Sequence, residues 1–440
     1  MELSKFTSRF DAKAGIVQLM EDLGDAMSGD NEILMLGGGN PAHIPEVQQL
    51  LRERMQRIVD DPAGFAGVVG NYDSPQGESR FIAALARLLR KEYGWDIGPE
   101  NIVLTAGSQA GFFYLFNMFA GEYPDGSKKQ IMFPMTPEYI GYADVGLADN
   151  MFTGNRPEIE LLDDHLFKYH VDFSKLRVTD DIGALCVSRP TNPTGNVLTD
   201  DEIRHLLAIA ADKKIPLIID NAYGLPFPHI IFTEASPVWS EQTILCLSLS
   251  KFGLPAARTG IILAPAEVIR MITSMNAVLN LALGSLGPAL VLDLVASGEI
   301  IRISRDCIKP FYENKAGKAI ALLKQELQGV EFRIHKPEGA IFLWLWLPGF
   351  PLTSEEFYRR LKQRGVLVVS GHHFFPGLTA DWRHKHECIR ITYSMTDAVV
   401  EKGIRIIADE IKSIYADKTP APLKGEGGDG GVKFDIPPPP

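Results

Sequence analysis

Six short, uninterrupted apolar runs, "NIVLTAG", "QIMFP", "GALCVS", "PLIID", "TILCLS" and "TGIILAP", recur between residues 101 and 265. None of them alternates polar with apolar residues. A strand that is apolar all along its length has to be covered on both faces, which predicts a parallel or mostly parallel sheet sandwiched by helices. The segments between the runs supply those helices, because residues 77–92, 108–119 and 199–212 carry the 3.6-residue period. The expectation is an α/β domain over residues 46–300. A helical stretch at 299–328 follows, kinked near Pro310. The pattern then changes to "EFRIHK", "AIFLWLWL", a helix at 353–364, "VLVVSG", "CIRITYS" and a last helix to about 416, which reads as a smaller α+β domain over 301–417. The tail 418–440 is proline, glycine and charge with little to bury, and is expected to be disordered.

The balance of charge narrows the partners. A formal charge of -11 argues against nucleic acid or an anionic membrane surface, both of which favour a basic face, while leaving a small anionic metabolite possible. Cys186, Cys246, Cys307 and Cys388 are far apart and form no CxxC pair, as expected of reduced core residues in a cytoplasmic protein. No apolar stretch of about 18 residues is present and the first residues contain no apolar core, so neither a membrane span nor a signal peptide is expected.

Ligands of open α/β sheets bind beyond the carboxyl ends of the strands, so the residues on which the strands end carry the information. "IVLT" runs into Gly107, Ser108 and Gln109 at the start of a helix, either a plain N-cap or a cradle for phosphate. "ALCVS" leads to Asn192-Pro193-Thr194-Gly195, which is at least a turn. "PLII" ends on Asp220, followed closely by Tyr223, and a carboxylate at that depth needs a partner. "CLSLSKFGLPAAR" ends a buried strand on Ser248, Ser250 and Lys251, with Arg258 following. Each residue alone fits a solvated strand end. Together they describe a pyridoxal phosphate site: a carboxylate for the ring nitrogen, donors for the ring hydroxyl, a helix start and a cation for the phosphate, and a lysine for the aldehyde. Arg390, in "ECIRITYS", lies within a strand between Ile389 and Ile391, so it either forms an internal salt bridge or clamps a carboxylate. His372, His373, His384 and His386 lack the companions that a metal site requires, and no metal is expected. "GHHFFPG" at 371–377 either shapes a pocket or is a packed loop.

"NPTG", "IIDNAY" and "SLSKFGLPAAR", in this order and spacing, resemble the class I/II aminotransferases, pyridoxal-phosphate enzymes of fold type I. The resemblance implies a seven-stranded sheet in a large domain, a small domain joined by an N-terminal arm (residues 1–45), and a homodimer with its sites at the interface. It assigns Lys251, Asp220 and Tyr223 to catalysis, and Gly107, Ser108, Gln109, Asn192, Ser248, Ser250 and Arg258 to the cofactor. It also implies that Tyr139 stacks on the cofactor ring and that Tyr72 reaches the phosphate of the neighbouring subunit, where the plainer readings are a core tyrosine and a turn tyrosine. Gly39, Asn40, Asn192 and Arg390 fall beside the substrate. Longer blocks such as "MLGGGNPAHIPE", "PEYIGYADVGL" and "HKPEGAIFLWLWLPG" resemble one bacterial subfamily that exchanges an amino group between valine and pyruvate. Two other readings share these residues in part: a β-lyase using the same cofactor, and a non-catalytic regulator, which would carry an added DNA-binding module absent from this sequence.

Overall fold

The computed structural model describes residues 33–416 and Thr7. Most of the arm expected over 1–45, and the whole tail at 418–440, lie outside the described residues.

Strands Ile102–Ala106, Thr259–Leu263, Thr243–Ser248, Leu217–Asp220, Ile182–Ser188 and Lys128–Phe133 lie side by side in that order. Phe152–Gly154 and Gly121–Glu122 both pair with Lys128–Phe133. The sheet thus has eight strands rather than seven, because the two-residue strand Gly121–Glu122 folds back as an antiparallel hairpin on Lys128 and Lys129. Thr259–Leu263 runs antiparallel to both its neighbours, and apart from the Gly121–Glu122 hairpin the remaining pairings are parallel.

The absence of alternation in the sequence has its cause here. Leu245, Leu247, Ile261 and Leu263 pack into the core on one face, whereas Ile244, Cys246 and Ile262 pack into the core on the other. Each fully buried leucine or isoleucine contributes about 1.5–3 kcal/mol, so both faces stabilise the sheet. Helix Ser108–Phe119 covers the second face, beginning one residue after the turn at Gly107. Helices Ser79–Tyr93 and Leu286–Ser297 pack against each other on the first.

The second sheet has six strands, ordered Val369–Ser370, Cys388–Thr392, Phe342–Trp346, Arg333–His335, Leu166–His170 and Glu158–Leu161. The last two lie within the stretch read as the first domain, yet Leu166–His170 hydrogen-bonds in parallel with Arg333–His335. Buried Lys168, on that strand, bonds Glu338, Asn196 and the Val197 carbonyl, which ties the second sheet to the turn carrying Asn192. Leu34–Met35 pairs in parallel with Val366–Leu367. A Cβ on the following Gly37 would lie 2.8 Å from the Val368 carbonyl oxygen, so only glycine permits this close approach. The helix around Pro310 widens into a π-turn at Ser304–Ile308, since proline has no N–H and its ring crowds the carbonyl four residues back. Among the described residues, no helix is long and apolar enough to cross a membrane.

Candidate active site

The carboxyl ends of the parallel strands open into a cavity of about 620 Å³. Gly39, Asn40, Ser108, Gln109, Tyr139, Asn192, Asp220, Tyr223, Ser248, Ser250, Lys251, Arg258 and Arg390 all line it. Two expected residues do not. Gly107 lies just beneath the wall, with φ +84° and its α-carbon turned toward Arg258, so that a Cβ there would overlap the guanidinium. Tyr72 is 85 % exposed, outside the cavity of its own chain.

Sheet register explains the convergence. Asp220 pairs with Ser188 on one side and Cys246 on the other, while Ser248 pairs with Gly260. The strands therefore finish at one level, and the residue types that follow each end meet across the rim. Because Thr259–Leu263 runs the opposite way, Arg258 precedes its strand and still arrives at the same edge.

Lys251 directs its amine to the Gly39 carbonyl at 2.5 Å and lies 5.3 Å from the centre of the Tyr223 ring. Burial, then the charges of Arg390 and Arg258, bring its amine down to about 8, against a pull upward from Asp220. Asp220 accepts from the Tyr142 hydroxyl at 2.6 Å and from the Ala222 N–H at 2.9 Å. Burial pushes its carboxyl up, and those hydrogen bonds and the Lys251 charge hold it back. The first N–H groups of helix Ser108–Phe119 have no intrahelical partner and Gly107 offers no side-chain cap, which leaves donors for an anion next to Arg258. Tyr139 is held from behind by Tyr142, the rings meeting edge to face with centres 5.4 Å apart.

Arg390 is 2 % exposed. Its Nη1 donates to Asn192 Oδ1 at 2.7 Å and its Nη2 to the Gly37 carbonyl at 2.6 Å, while Nε is left without a hydrogen-bond partner. Phe342 and Phe374 sandwich the guanidinium, with its carbon 4.1 Å and 5.1 Å from their ring centres. Among the described residues Arg390 has no carboxylate partner, so the internal salt bridge weighed from the sequence is not seen there. Burial brings it down to about 10, and a guanidinium so placed favours an incoming carboxylate. Phe374 lies in "GHHFFPG", which shapes the site through this contact and not by lining the cavity.

Sequence reasoning missed several lining residues, chiefly Met35, Ile140, Ser188, Ser394 and Met395, and the Tyr142 that holds Asp220. "PEYIGY" contained the signal for Tyr142, because a second tyrosine three residues after Tyr139 falls on the same side of a tight turn.

A doubly covered sheet whose strand ends gather a lysine, a carboxylate, an uncapped helix start beside an arginine and a second, buried arginine defines a class, and over residues 32–407 the sequence matches the family model of that class, aminotransferase class I and II. The chain belongs to the class I and II aminotransferases, which depend on pyridoxal phosphate. Over 417 residues it is 49 % identical to the valine–pyruvate aminotransferase of Escherichia coli, covering 95 % of this chain and 100 % of that one. Among solved structures, a putative amino-acid aminotransferase from Psychrobacter arcticum superposes with a TM-score of 0.92 at 46 % identity, covering 95 % of this chain and all of the other. The valine–pyruvate aminotransferase of Salmonella typhimurium gives 0.84 at 49 % identity, with 92 % and 100 % covered.

Proposed function

We propose that this chain exchanges an amino group between L-valine and pyruvate, giving 3-methyl-2-oxobutanoate and L-alanine by a ping-pong reaction on pyridoxal phosphate. The observation that carries the reaction type is the convergence of Lys251, Asp220 and Arg390 on one cavity. The substrate pair rests on near-full-length likeness to the valine–pyruvate enzymes, and the apolar side chains of Met35, Ile140 and Met395 suit an aliphatic substrate.

The residues fit the cofactor. Asp220 would face the ring nitrogen, the Asn192 amide and Tyr223 hydroxyl the ring oxygen, Tyr139 the ring face, and Ser108, Gln109, Ser248, Ser250 and Arg258 the phosphate. When bound, pyridoxal phosphate supplies an electron sink for charge developing at the substrate Cα. Arg390 binds and orients the substrate carboxylate through its planar fork, which turns the Cα–H toward the lysine. With its amine brought down to about 8, part of Lys251 is unprotonated near neutral pH, and its Nζ would take the proton from the substrate Cα. Asp220, held by Tyr142 and the Ala222 N–H, would offer the ring nitrogen a carboxylate that favours its protonation.

The active unit in this reading is a homodimer. Phe65, Val69, Tyr72, Val278, Leu281 and Leu286 are exposed large apolar side chains. Hydrogen bonds from Ser285 to Asp73 and from Asn276 to the Pro75 carbonyl bring their two segments together, and a face of this kind calls for a partner. Tyr72 on that face would enter the other subunit's phosphate site.

The test is a half-reaction. The loaded protein is mixed separately with valine, alanine, aspartate and cysteine while the cofactor spectrum and products are followed. Conversion to the amine form by valine and alanine, reversed by pyruvate, is expected. Conversion by aspartate alone would discard the substrates, and pyruvate with ammonia from cysteine would make the protein a lyase.

A further inference from the structure

Glu138, Ser188 and Tyr142 form a buried chain leading to Asp220, and no step of the reaction described above runs through these three. Glu138 is fully buried, its Oε1 accepting from the Ser188 N–H at 2.9 Å and its Oε2 lying 2.5 Å from Ser188 Oγ. Ser188 Oγ is 3.3 Å from the Tyr142 hydroxyl, which donates to Asp220 Oδ2 at 2.6 Å. Among the described residues no cation pairs with Glu138. The titratable groups around it are Asp220, whose charge raises it further, and the buried Tyr142 and Cys186, both pushed well above their usual range. Its remaining partners are the backbone N–H of Tyr139 and, through its own N–H, the Phe374 carbonyl.

The protons can be distributed in two ways. If Glu138 is ionised, Ser188 must donate to it, Tyr142 donates to Asp220, and the two hydroxyl oxygens between them face each other with no hydrogen to share. Two carboxylates then repel across a buried region. If Glu138 carries a proton, it donates to Ser188, Ser188 donates to Tyr142 and Tyr142 donates to Asp220, so every hydrogen has an acceptor. One negative charge remains, at the end where Lys251 favours it.

We infer that Glu138 is a positioning residue: it holds a proton at neutral pH and heads a one-way hydrogen-bond chain that keeps Asp220 ionised and aimed into the cavity. Burial, outweighing the Ser188 hydrogen bonds, takes its carboxyl up to about 8, in accord with the geometry. The functional value of the chain rests on the reading of Asp220 as the partner of the ring nitrogen. The protonation itself does not, so the two can fail separately.

The test is infrared spectroscopy of the cofactor-free protein, with the half-reaction run in parallel as the independent check on Asp220. Wild type at pH 7 should show a protonated-carboxyl band that ¹³C-glutamate labelling shifts, that disappears as the pH rises past about 8, and that Glu138→Gln removes. Tyr142→Phe cuts the chain next to Asp220. It should keep the glutamate band and add a protonated aspartate band that ¹³C-aspartate labelling shifts. Melting gives a second reading: a carboxyl raised from 4.5 to about 8 binds its proton more tightly in the folded state, so wild type should lose stability relative to Glu138→Gln as pH rises across that window. Absence of the glutamate band in wild type, its persistence in Glu138→Gln, or a Tyr142→Phe protein with no new aspartate band would overturn the inference. Labelling identifies the band in wild type even if Glu138→Gln does not fold.

Discussion

Arg390 Nη1 donates to Asn192 Oδ1 at 2.7 Å, a bond that joins the second sheet to the turn beyond a strand of the first. The asparagine read as a cofactor ligand and the arginine read as the substrate clamp are thus a single unit. Arg390→Lys keeps the charge and gives up the planar fork, so Gly37, Asn192 and an incoming carboxylate can no longer all be served. We expect kcat/KM to fall on the order of 100-fold for every amino acid tested, mostly through KM, in steady-state assays.

Lys251→Ala should fold and bind cofactor phosphate yet lose turnover, and full activity in that variant would sink the assignment of the lysine. The charge on the amine also costs stability. A lysine lowered from 10.5 to about 8 releases its proton earlier in the folded state, so wild type gains stability as pH rises between those values. Cofactor-free Lys251→Met should therefore melt higher than wild type below pH 8, by about 1–3 kcal/mol in stability, with the gap closing toward pH 10.5.

Gly107→Ala puts a methyl group where the Arg258 guanidinium lies, on a backbone with φ +84° that suits glycine. Fold stability should drop by about 1–2 kcal/mol. Pyridoxal phosphate affinity should fall on the order of 10-fold or more, read by fluorescence titration, because the displaced arginine no longer sits over the helix start.

Breaking the buried Lys168–Glu338 pair takes from Glu338 its buried cation and leaves it the more exposed Lys336 at 3.2 Å. Lys168→Met should cost about 2–4 kcal/mol in denaturant unfolding, less than for a carboxylate left with no cation. It should also raise KM, since the lost bonds to Asn196 and Val197 hold the turn that carries Asn192.

Val278→Asp places a charge on a side chain that is 84 % exposed in the single chain and covered in the proposed dimer. Sedimentation should then show a monomer that keeps its fold. Cofactor affinity should fall with it, as in Tyr72→Phe, because in the proposed dimer the tyrosine would reach a phosphate only across the interface.

The site residues that could be read from the chain were those fixed by local signals. Asp220 and Lys251 follow apolar runs directly, and Arg390 betrays itself by its place between two isoleucines. Glu138 gave no such signal and Tyr142 only its spacing from Tyr139, because their roles depend on which strand end lies opposite "PEYIGY", and that is set by the register of Ile182–Ser188 against Leu217–Asp220. For the same reason, strands Glu158–Leu161 and Leu166–His170 were not expected in the second sheet, since their partner Arg333–His335 lies far along the chain. Local propensity carries no trace of such pairing.

The reversed strand Thr259–Leu263 turns the stretch from Ser248 to Gly260 into one closed loop, its two ends held as a hydrogen-bonded pair. Lys251 and Arg258 both ride on that loop, with Leu254 bonded back to Leu249 inside it. The amine and the phosphate cation are therefore spaced by a tether of seven residues rather than by the packing of separate layers. Neighbouring strands can breathe without altering that spacing, whereas one residue inserted between Gly253 and Ala257 would throw the two groups out of step and leave the rest of the fold untouched.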